Sequence, residues 1–159
     1  MVVLYHLRSV YNVASIFRTA EAAGVEKIYL CGVTPGPVDR FGRERKQFIK
    51  VSLGAEKTVE WESEKNAINL IKKLKAQDYR VLAVEQSKNS IPYYQYNDVR
   101  RHYIEKTALV LGNEVSGLPK VVLDRADKVL EIPMKGRKES LNVAVSFGIV
   151  VFSLLYSSK

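Results

Sequence analysis

Short apolar runs alternate with segments of helical periodicity along most of the chain. Runs of roughly five residues rich in Val, Ile and Leu predict buried strands. They extend from Val2 to His6, Lys27 to Cys31, Arg80 to Val84, Thr107 to Leu111 and Lys128 to Ile132, with a weaker candidate from Lys57 to Trp61. Strands that alternate with helices indicate an α/β domain with a mainly parallel sheet and helices on both faces.

Apolar residues at three- and four-residue spacing predict the helices between these strands. The first helix is expected to begin at Asn12, a favourable N-cap residue, and to stop at Gly24. Further helices are expected around Phe48, from Ala67 to Leu74 and from Pro119 to Leu123.

The apolar stretch from Leu141 to Tyr156 is the longest in the chain. A membrane-spanning helix needs about 20 apolar residues, and this stretch is shorter and contains Asn142, Ser146 and Ser153. We therefore expect no membrane span, but a helix buried on most sides in a core or a subunit interface.

Composition adds a charge bias to this picture. The 159 residues suit one domain, and 25 Lys and Arg against 17 Asp and Glu give a formal net charge of +8. Such a charge favours a polyanionic partner, most simply nucleic acid, although a merely soluble basic protein would also fit.

The chain has one cysteine, Cys31, and two histidines, His6 and His102. Their spacing is not that of metal ligands, so we expect no metal site. The N-terminus has no signal-peptide pattern, so we expect a cytoplasmic protein.

Three polar stretches follow predicted strands, at the sheet edge where α/β proteins bind ligands. The first runs from Asn12 to Ala20 and contains Arg18, which lies off the apolar stripe of its helix. The second is Gly112 to Leu118, and the third joins Ile132 to Met134 with Glu139 to Asn142. The second stretch is no phosphate loop, because Leu118 and Pro119 stand where Lys and Ser or Thr are needed, and no dinucleotide fingerprint occurs.

In order and spacing, these stretches resemble the three motifs of the SpoU (TrmH-like) RNA ribose methyltransferases of the SPOUT superfamily. The resemblance covers essentially the whole chain, with Ala14 near a usual glycine. It implies a single SPOUT methyltransferase domain over residues 1–159 without a separate RNA-binding domain. It also implies a C-terminal trefoil knot, S-adenosylmethionine as cofactor, and a homodimer formed through the C-terminal helix and knot region.

The resemblance also implies roles for individual residues. The implied catalytic residues are Asn12, Arg18, Glu114, Ser140 and Asn142. The implied cofactor-binding residues are Val84, Gly112, Asn113, Ile132, Met134 and Leu141. Arg18 is expected to act as the base that removes the hydroxyl proton, or as a cation that stabilises the developing alkoxide or holds a phosphate.

The expected reaction is methyl transfer to a ribose 2′-hydroxyl of RNA. The basic segment containing Arg40, Arg43, Arg45 and Lys46 is the candidate RNA-binding surface. Transfer RNA is favoured as substrate because the chain resembles the minimal members that act on it, and ribosomal RNA is the alternative. A non-catalytic RNA-binding protein of the same fold and a different nucleotide-using α/β enzyme are the competing hypotheses.

Overall fold

The computed structural model describes residues 1–96 and 106–156, and within them seven strands form one parallel sheet. The order across the sheet is β3-β2-β1-β6-β4-β7-β5. The strands are β1 (Val2–Tyr5), β2 (Lys27–Cys31), β3 (Glu60–Glu64), β4 (Arg80–Val84), β5 (Ile91–Pro92), β6 (Thr107–Leu111) and β7 (Lys128–Glu131). Every strand pair in the sheet is parallel, as the alternating pattern predicts.

The central strands are buried on both faces because their side chains alternate between two cores. In β1, Val2 and Leu4 enter one core and Val3 enters the other. In β6, Leu109 and Leu111 share the first core, whereas Val110 lies in the second. Strands buried on both faces are apolar throughout, which is why these runs show no polar alternation.

Helices cover both faces of the sheet. The first core packs under α1 (Val10–Ala22), α2 (Lys46–Ser52), α3 (Ala55–Thr58) and α6 (Val143–Tyr156). The second core packs under α4 (Ala67–Ala76) and α5 (Lys120–Leu123). The α/β prediction with helices on both faces is therefore confirmed.

Several predicted boundaries are wrong in detail. Helix α1 starts two residues before Asn12, because the Ser9 side chain is the N-cap and accepts a hydrogen bond from the Asn12 N–H at 3.3 Å. The proposed strand from Lys57 to Trp61 is a short helix followed by β3, so the strand begins at Glu60. The segment after Asn89 contains β5 and a 3-10 turn at Tyr93–Gln95, neither of which was predicted. His102 lies outside the described residues.

In a single copy of the chain, helix α6 is buried on one side and partly exposed on the other, so its burial in a subunit interface stays a prediction. Val143, Phe147, Val150 and Val151 enter the first core, whereas the opposite side carries exposed Val145, Phe152 and Tyr156. In the part of the chain that the structure describes, no helix combines the length and hydropathy that crossing a membrane requires.

Candidate functional site

A cavity of about 670 Å³ opens at the carboxyl ends of β4, β6 and β7. This edge lies beside the point where the strand order reverses between β1 and β6, the usual ligand position in such sheets. Its size suits a small ligand. The lining residues are Asn12, Val84, Glu85, Gln86, Leu111, Gly112, Asn113, Glu114, Val115, Gly117, Glu131, Ile132, Met134, Glu139, Ser140, Leu141, Asn142, Val143 and Ser146.

The turn from Gly112 to Leu118 forms one wall of this cavity. A Cβ at Gly112 would lie 2.6 Å from the Gly117 carbonyl carbon and 2.7 Å from the Leu118 nitrogen, so only glycine lets the turn close on itself. The buried Asn113 side chain accepts hydrogen bonds from the N–H groups of Val115 (2.9 Å) and Ser116 (3.1 Å). Its amide also donates to the His6 carbonyl at 2.7 Å. Asn113 thus shapes the turn and fastens it to the end of β1.

Glu114 fastens the same turn to the start of α1. Its carboxylate accepts hydrogen bonds from the backbone N–H groups of Arg8 (3.2 Å) and Ser9 (3.3 Å), and from the Asn12 amide at 3.0 Å. Partial burial raises the pKa of Glu114, but these hydrogen bonds favour the charged form more strongly and hold the pKa below its usual value. Glu114 therefore supplies a fixed anion beside the first turn of α1, where the helix dipole also favours it.

Asn12 links this anion to the last motif. While its amide donates to Glu114, its side-chain oxygen accepts a hydrogen bond from the Asn142 amide at 3.0 Å. The Asn142 side-chain oxygen in turn accepts from the N–H of Ala144 at 2.9 Å, which caps the N-terminus of α6. The chain from Glu114 through Asn12 to Asn142 therefore joins three distant segments at one rim of the cavity.

Glu85 and Gln86 are among the nine lining residues that were not predicted as site residues. Glu85 accepts a hydrogen bond from the Leu118 N–H at 2.8 Å, and a Cβ at Gly117 would overlap its carboxylate. Gln86 donates to the Glu139 carbonyl at 2.7 Å. This pair, at the end of β4, thus holds two segments that line the cavity. The sequence signal that could have identified them is a pair of polar residues directly after a buried strand.

Among the described residues, all ionisable side chains that line the cavity are carboxylates: Glu85, Glu114, Glu131 and Glu139. Such a lining favours a ligand that carries positive charge. Among the described residues, no group of His, Cys, Asp and Glu could hold a metal ion. Cys31 is buried away from the site, and burial raises the pKa of its thiol to about 12, which keeps the thiol protonated.

Arg18 and the basic segment lie apart from the cavity lining. Arg18 is exposed and lies six residues beyond Asn12, about 9 Å along the axis of α1. Within the described residues, its guanidinium has no hydrogen-bond or ion-pair partner. The loop before α2 exposes Phe41 between the guanidinium groups of Arg40 (4.7 Å from the ring centre) and Arg43 (5.0 Å).

The structure thus brings together most of the residues predicted for the site. Ten of them line the cavity: Asn12, Val84, Gly112, Asn113, Glu114, Ile132, Met134, Ser140, Leu141 and Asn142. Arg18 and the four residues Arg40, Arg43, Arg45 and Lys46 do not line it. The cofactor and catalytic roles of these residues remain predictions.

Comparison with known proteins gives this arrangement a context. The sequence model described as the SpoU rRNA Methylase family matches residues 1–152. A tRNA (guanosine(18)-2′-O)-methyltransferase of Aquifex aeolicus is 29% identical over 147 residues, which cover 92% of this chain and 64% of that protein. A 23S rRNA (guanosine-2′-O-)-methyltransferase of Neisseria meningitidis is 27% identical over 151 residues, covering 95% of this chain and 56% of the relative.

A solved structure extends the similarity to three dimensions. The crystal structure of an AdoMet-bound rRNA methyltransferase from Sinorhizobium meliloti superposes with a TM-score of 0.85 and 26% identity, covering 99% of this chain and 56% of that one. The chain therefore spans between 56% and 64% of the length of these relatives.

Proposed function

The chain belongs to the SpoU rRNA Methylase family, and on that basis we propose that it transfers a methyl group from S-adenosylmethionine to a ribose 2′-hydroxyl of RNA. The observation that carries the proposal is the linkage of Glu114, Asn12 and Asn142 at the rim of one cavity. Neither the fold nor the core requires this polar chain, since its members come from three distant segments at the ligand-binding edge of the sheet.

The size of the cavity and the charge of its lining support S-adenosylmethionine as the cofactor. Bound S-adenosylmethionine supplies a methyl group that its positive sulfonium already activates. We propose that the turn at Gly112 approaches the cofactor through its backbone, while Val84, Ile132, Met134 and Leu141 contact its apolar parts. The carboxylates of the lining suit the positive charges of its sulfonium and amino groups. Gln86 and Glu85 would keep the two walls at the distance that the cofactor requires.

At the rim, we propose that Asn12, Ser140 and Asn142 orient the ribose. Among the described residues the Ser140 hydroxyl makes no hydrogen bond, so it can donate to the substrate. Glu114 keeps Asn12 in a single orientation by accepting its amide hydrogen. Since an arginine side chain stays protonated, we propose that Arg18 stabilises the negative charge that develops on the ribose oxygen.

We further propose that the protein acts as a homodimer. Val145, Phe152 and Tyr156 form an exposed apolar stripe on α6, and the neighbouring α1 exposes Tyr11 (57%). A second copy packed on this stripe would cover it and bring a second α1 close to the cavity. Such packing would also explain how Arg18, which lies outside the cavity of its own copy, reaches a reacting ribose.

The C-terminal trefoil knot is part of the same proposal. The segment between Ile132 and Asn142 lines the cavity and is held by Gln86 through the Glu139 carbonyl. We propose that this segment threads through a loop of the chain, and that residues 1–159 form one methyltransferase domain.

Transfer RNA is the proposed substrate, with ribosomal RNA as the second candidate because relatives act on either. The cytoplasm, where both are found, is the proposed compartment.

A direct assay tests this function. The purified protein is incubated with S-adenosylmethionine labelled in its methyl group and with bulk transfer RNA or ribosomal RNA, and 2′-O-methyl positions are mapped. Arg18→Ala should lower the methylation rate by about 10²-fold or more, while cofactor binding measured by calorimetry is unchanged. Lys72→Ala, which removes an exposed cation from α4, should leave both unchanged. Wild-type protein that binds the cofactor but methylates neither RNA would contradict the proposal.

A further inference from the structure

A second cavity, of about 250 Å³, lies on the other side of the turn that walls the cofactor cavity. Both cavities touch Asn113 and Gly117, and the second is further lined by Tyr5, His6, Arg8 and Val33. It lies at the ends of β1 and β2, close to the start of α1 that carries Asn12. A molecule that fills it is therefore a near neighbour of anything held at the rim of the first cavity.

The backbone at His6 is held in a conformation that its side chain disfavours. Its φ is 53°, in the left-handed region, which is unfavourable for a residue other than glycine. Two hydrogen bonds hold it there: the His6 N–H donates to the Cys31 carbonyl at 3.1 Å, and the His6 carbonyl accepts from the Asn113 amide at 2.7 Å. Such strain is concentrated at functional sites, where it fixes a side chain in position.

The strain places the imidazole ring directly over Gly32. A Cβ at Gly32 would overlap this ring, and Gly32 itself has a φ of 67°. Two left-handed residues, which directly follow the adjacent strands β1 and β2, thus combine to seat one ring, and this ring also meets Tyr5 edge to face at 4.4 Å between ring centres. Among the described residues, neither the imidazole nitrogens nor the Tyr5 hydroxyl makes a hydrogen bond. The rings therefore offer both an aromatic face and polar edges to a ligand.

The remaining lining residues complete the chemistry of a nucleotide site. Val33 is 63% exposed and offers an apolar contact at the cavity. The Arg8 side chain is exposed, and its backbone is held by Glu114, so its guanidinium lies beside the cavity without a partner in the described residues. Aromatic faces that stack on a base, next to an arginine that meets a phosphate, are the usual means of holding an unstacked RNA nucleotide.

We propose that this second cavity binds a nucleobase of the RNA substrate, on a nucleotide adjoining the methylated ribose. The base stacks on the His6 ring, its edge bonds to the free polar groups, and its phosphate meets Arg8. This inference rests on the proposed function and deepens it. It identifies the second cavity as the part of the protein that contacts the RNA on one side of the reacting ribose. The basic loop at Arg40 then attracts RNA through its charge, whereas this cavity determines the register in which the RNA strand binds.

The test removes the His6 ring without disturbing the backbone. His6→Gly suits the left-handed conformation, and His6→Asn is a second variant that tolerates it. Leu53→Gly is the matched control, since Leu53 has a φ of 51° and is exposed at the end of α2. RNA affinity, the KM for RNA, kcat and cofactor affinity are measured for each protein. Oligonucleotides that carry 2-aminopurine beside the methylated position report stacking through fluorescence quenching.

Both His6 variants should raise the Kd and KM for RNA about tenfold or more, with unchanged cofactor affinity and a Tm that is equal or higher. The quenching of 2-aminopurine should disappear in both, and Leu53→Gly should behave as wild type. RNA affinity and quenching at wild-type level in both His6 variants would overturn the inference while leaving the methyltransferase proposal intact. Wild-type protein that binds RNA without methylating it would contradict the proposed function. In that case the RNA affinities of the His6 variants would still show whether the second cavity binds a base. A protein that binds no RNA would overturn both.

Discussion

Asn12 and Glu114 are 102 residues apart in the sequence, yet the Asn12 amide donates a hydrogen bond to the Glu114 carboxylate across 3.0 Å. The same carboxylate holds the N–H groups of Arg8 and Ser9. The second motif therefore positions the first, and in the proposed function Glu114 would act on the substrate through Asn12, the residue that it orients.

Replacing Glu114 with Gln should loosen the start of α1 and lower kcat/KM. The amide has one acceptor in place of two and no charge, so the hydrogen bonds to Arg8, Ser9 and Asn12 weaken. Glu21→Gln, at an exposed position of the same helix, is the control. Steady-state kinetics should show a loss of about tenfold or more for the first variant only, and equal kinetics in the two would contradict the role.

The stabilising effect of Glu114 should also depend on pH. Its pKa is lower in the folded protein than the ordinary value of 4.5, so the folded state favours the carboxylate. The stability it contributes is complete above the unfolded pKa and is lost as the pH falls through the folded pKa. Urea unfolding should therefore show a difference between wild type and Glu114→Gln at pH 7 that shrinks below about pH 4.5.

Alanine at Gly112 should abolish cofactor binding. Its Cβ would meet backbone atoms of Gly117 and Leu118 at 2.6 and 2.7 Å, and backbone cannot rotate away as a side chain can. The turn would open and the cavity wall would move. Gly136→Ala is the matched control, because a Cβ there meets nothing within 4 Å. Calorimetry with S-adenosylmethionine should separate the two variants, and tight binding by Gly112→Ala would refute the assigned wall.

Gln86→Ala should raise the KM for S-adenosylmethionine more than it lowers kcat. The exposed Gln86 side chain holds the Glu139 carbonyl at 2.7 Å, so its removal releases one wall but exposes no core. The Tm should stay close to wild type, which distinguishes this positioning effect from a general loss of structure. Asn89→Ala, three residues further along the same loop, is expected to leave both constants unchanged.

Removing charge from the loop before α2 should weaken RNA binding and flatten its salt dependence. The carboxylate of Asp39 accepts hydrogen bonds from the N–H groups of Phe41 (2.8 Å) and Arg43 (3.0 Å), so the loop presents its cations in a fixed shape. In the double variant Arg40→Ala with Lys46→Ala, we compare the slope of log K for RNA binding against the logarithm of the salt concentration. The magnitude of this slope should decrease by about 0.7–0.9 for each phosphate that the protein no longer neutralises. The pair Lys72→Ala with Lys73→Ala removes equal charge from the opposite face of the sheet, and an equal effect there would argue for nonspecific attraction.

A charged residue in the exposed stripe of α6 should separate the proposed dimer. Phe152 is 36% exposed and stacks on Tyr156, so Phe152→Asp places a charge where two apolar surfaces would meet. Light scattering should give the mass of two copies for the wild type and of one copy for this variant. Val121→Asp, at a 41% exposed position on the other face, should leave the mass unchanged. A wild-type protein with the mass of one copy would refute the dimer.

The sequence was most informative where burial determines the pattern. Strands β1, β2, β4 and β6 are found close to their predicted bounds because both faces are buried and an apolar run reflects that directly, and β7 is also found close to its predicted bounds. The start of α1 was misjudged because Ser9 and Asn12 are both good caps, and the bonds from Glu114 to residues 8 and 9 favour the earlier one. Those bonds join residues more than 100 positions apart and leave no local signal.

By itself, the sequence determined the α/β class, the run of strands and helices, and the three polar stretches at strand ends, since each follows from local composition and spacing. Only the tertiary structure decided that Glu114 orients Asn12, that Glu85 and Gln86 hold two segments of the cavity lining, and that His6 is seated over Gly32. The physical reason is the same in each case. A hydrogen bond or a steric contact depends on distances of a few ångströms between segments that the chain separates, and only packing of the sheet and its helices sets those distances.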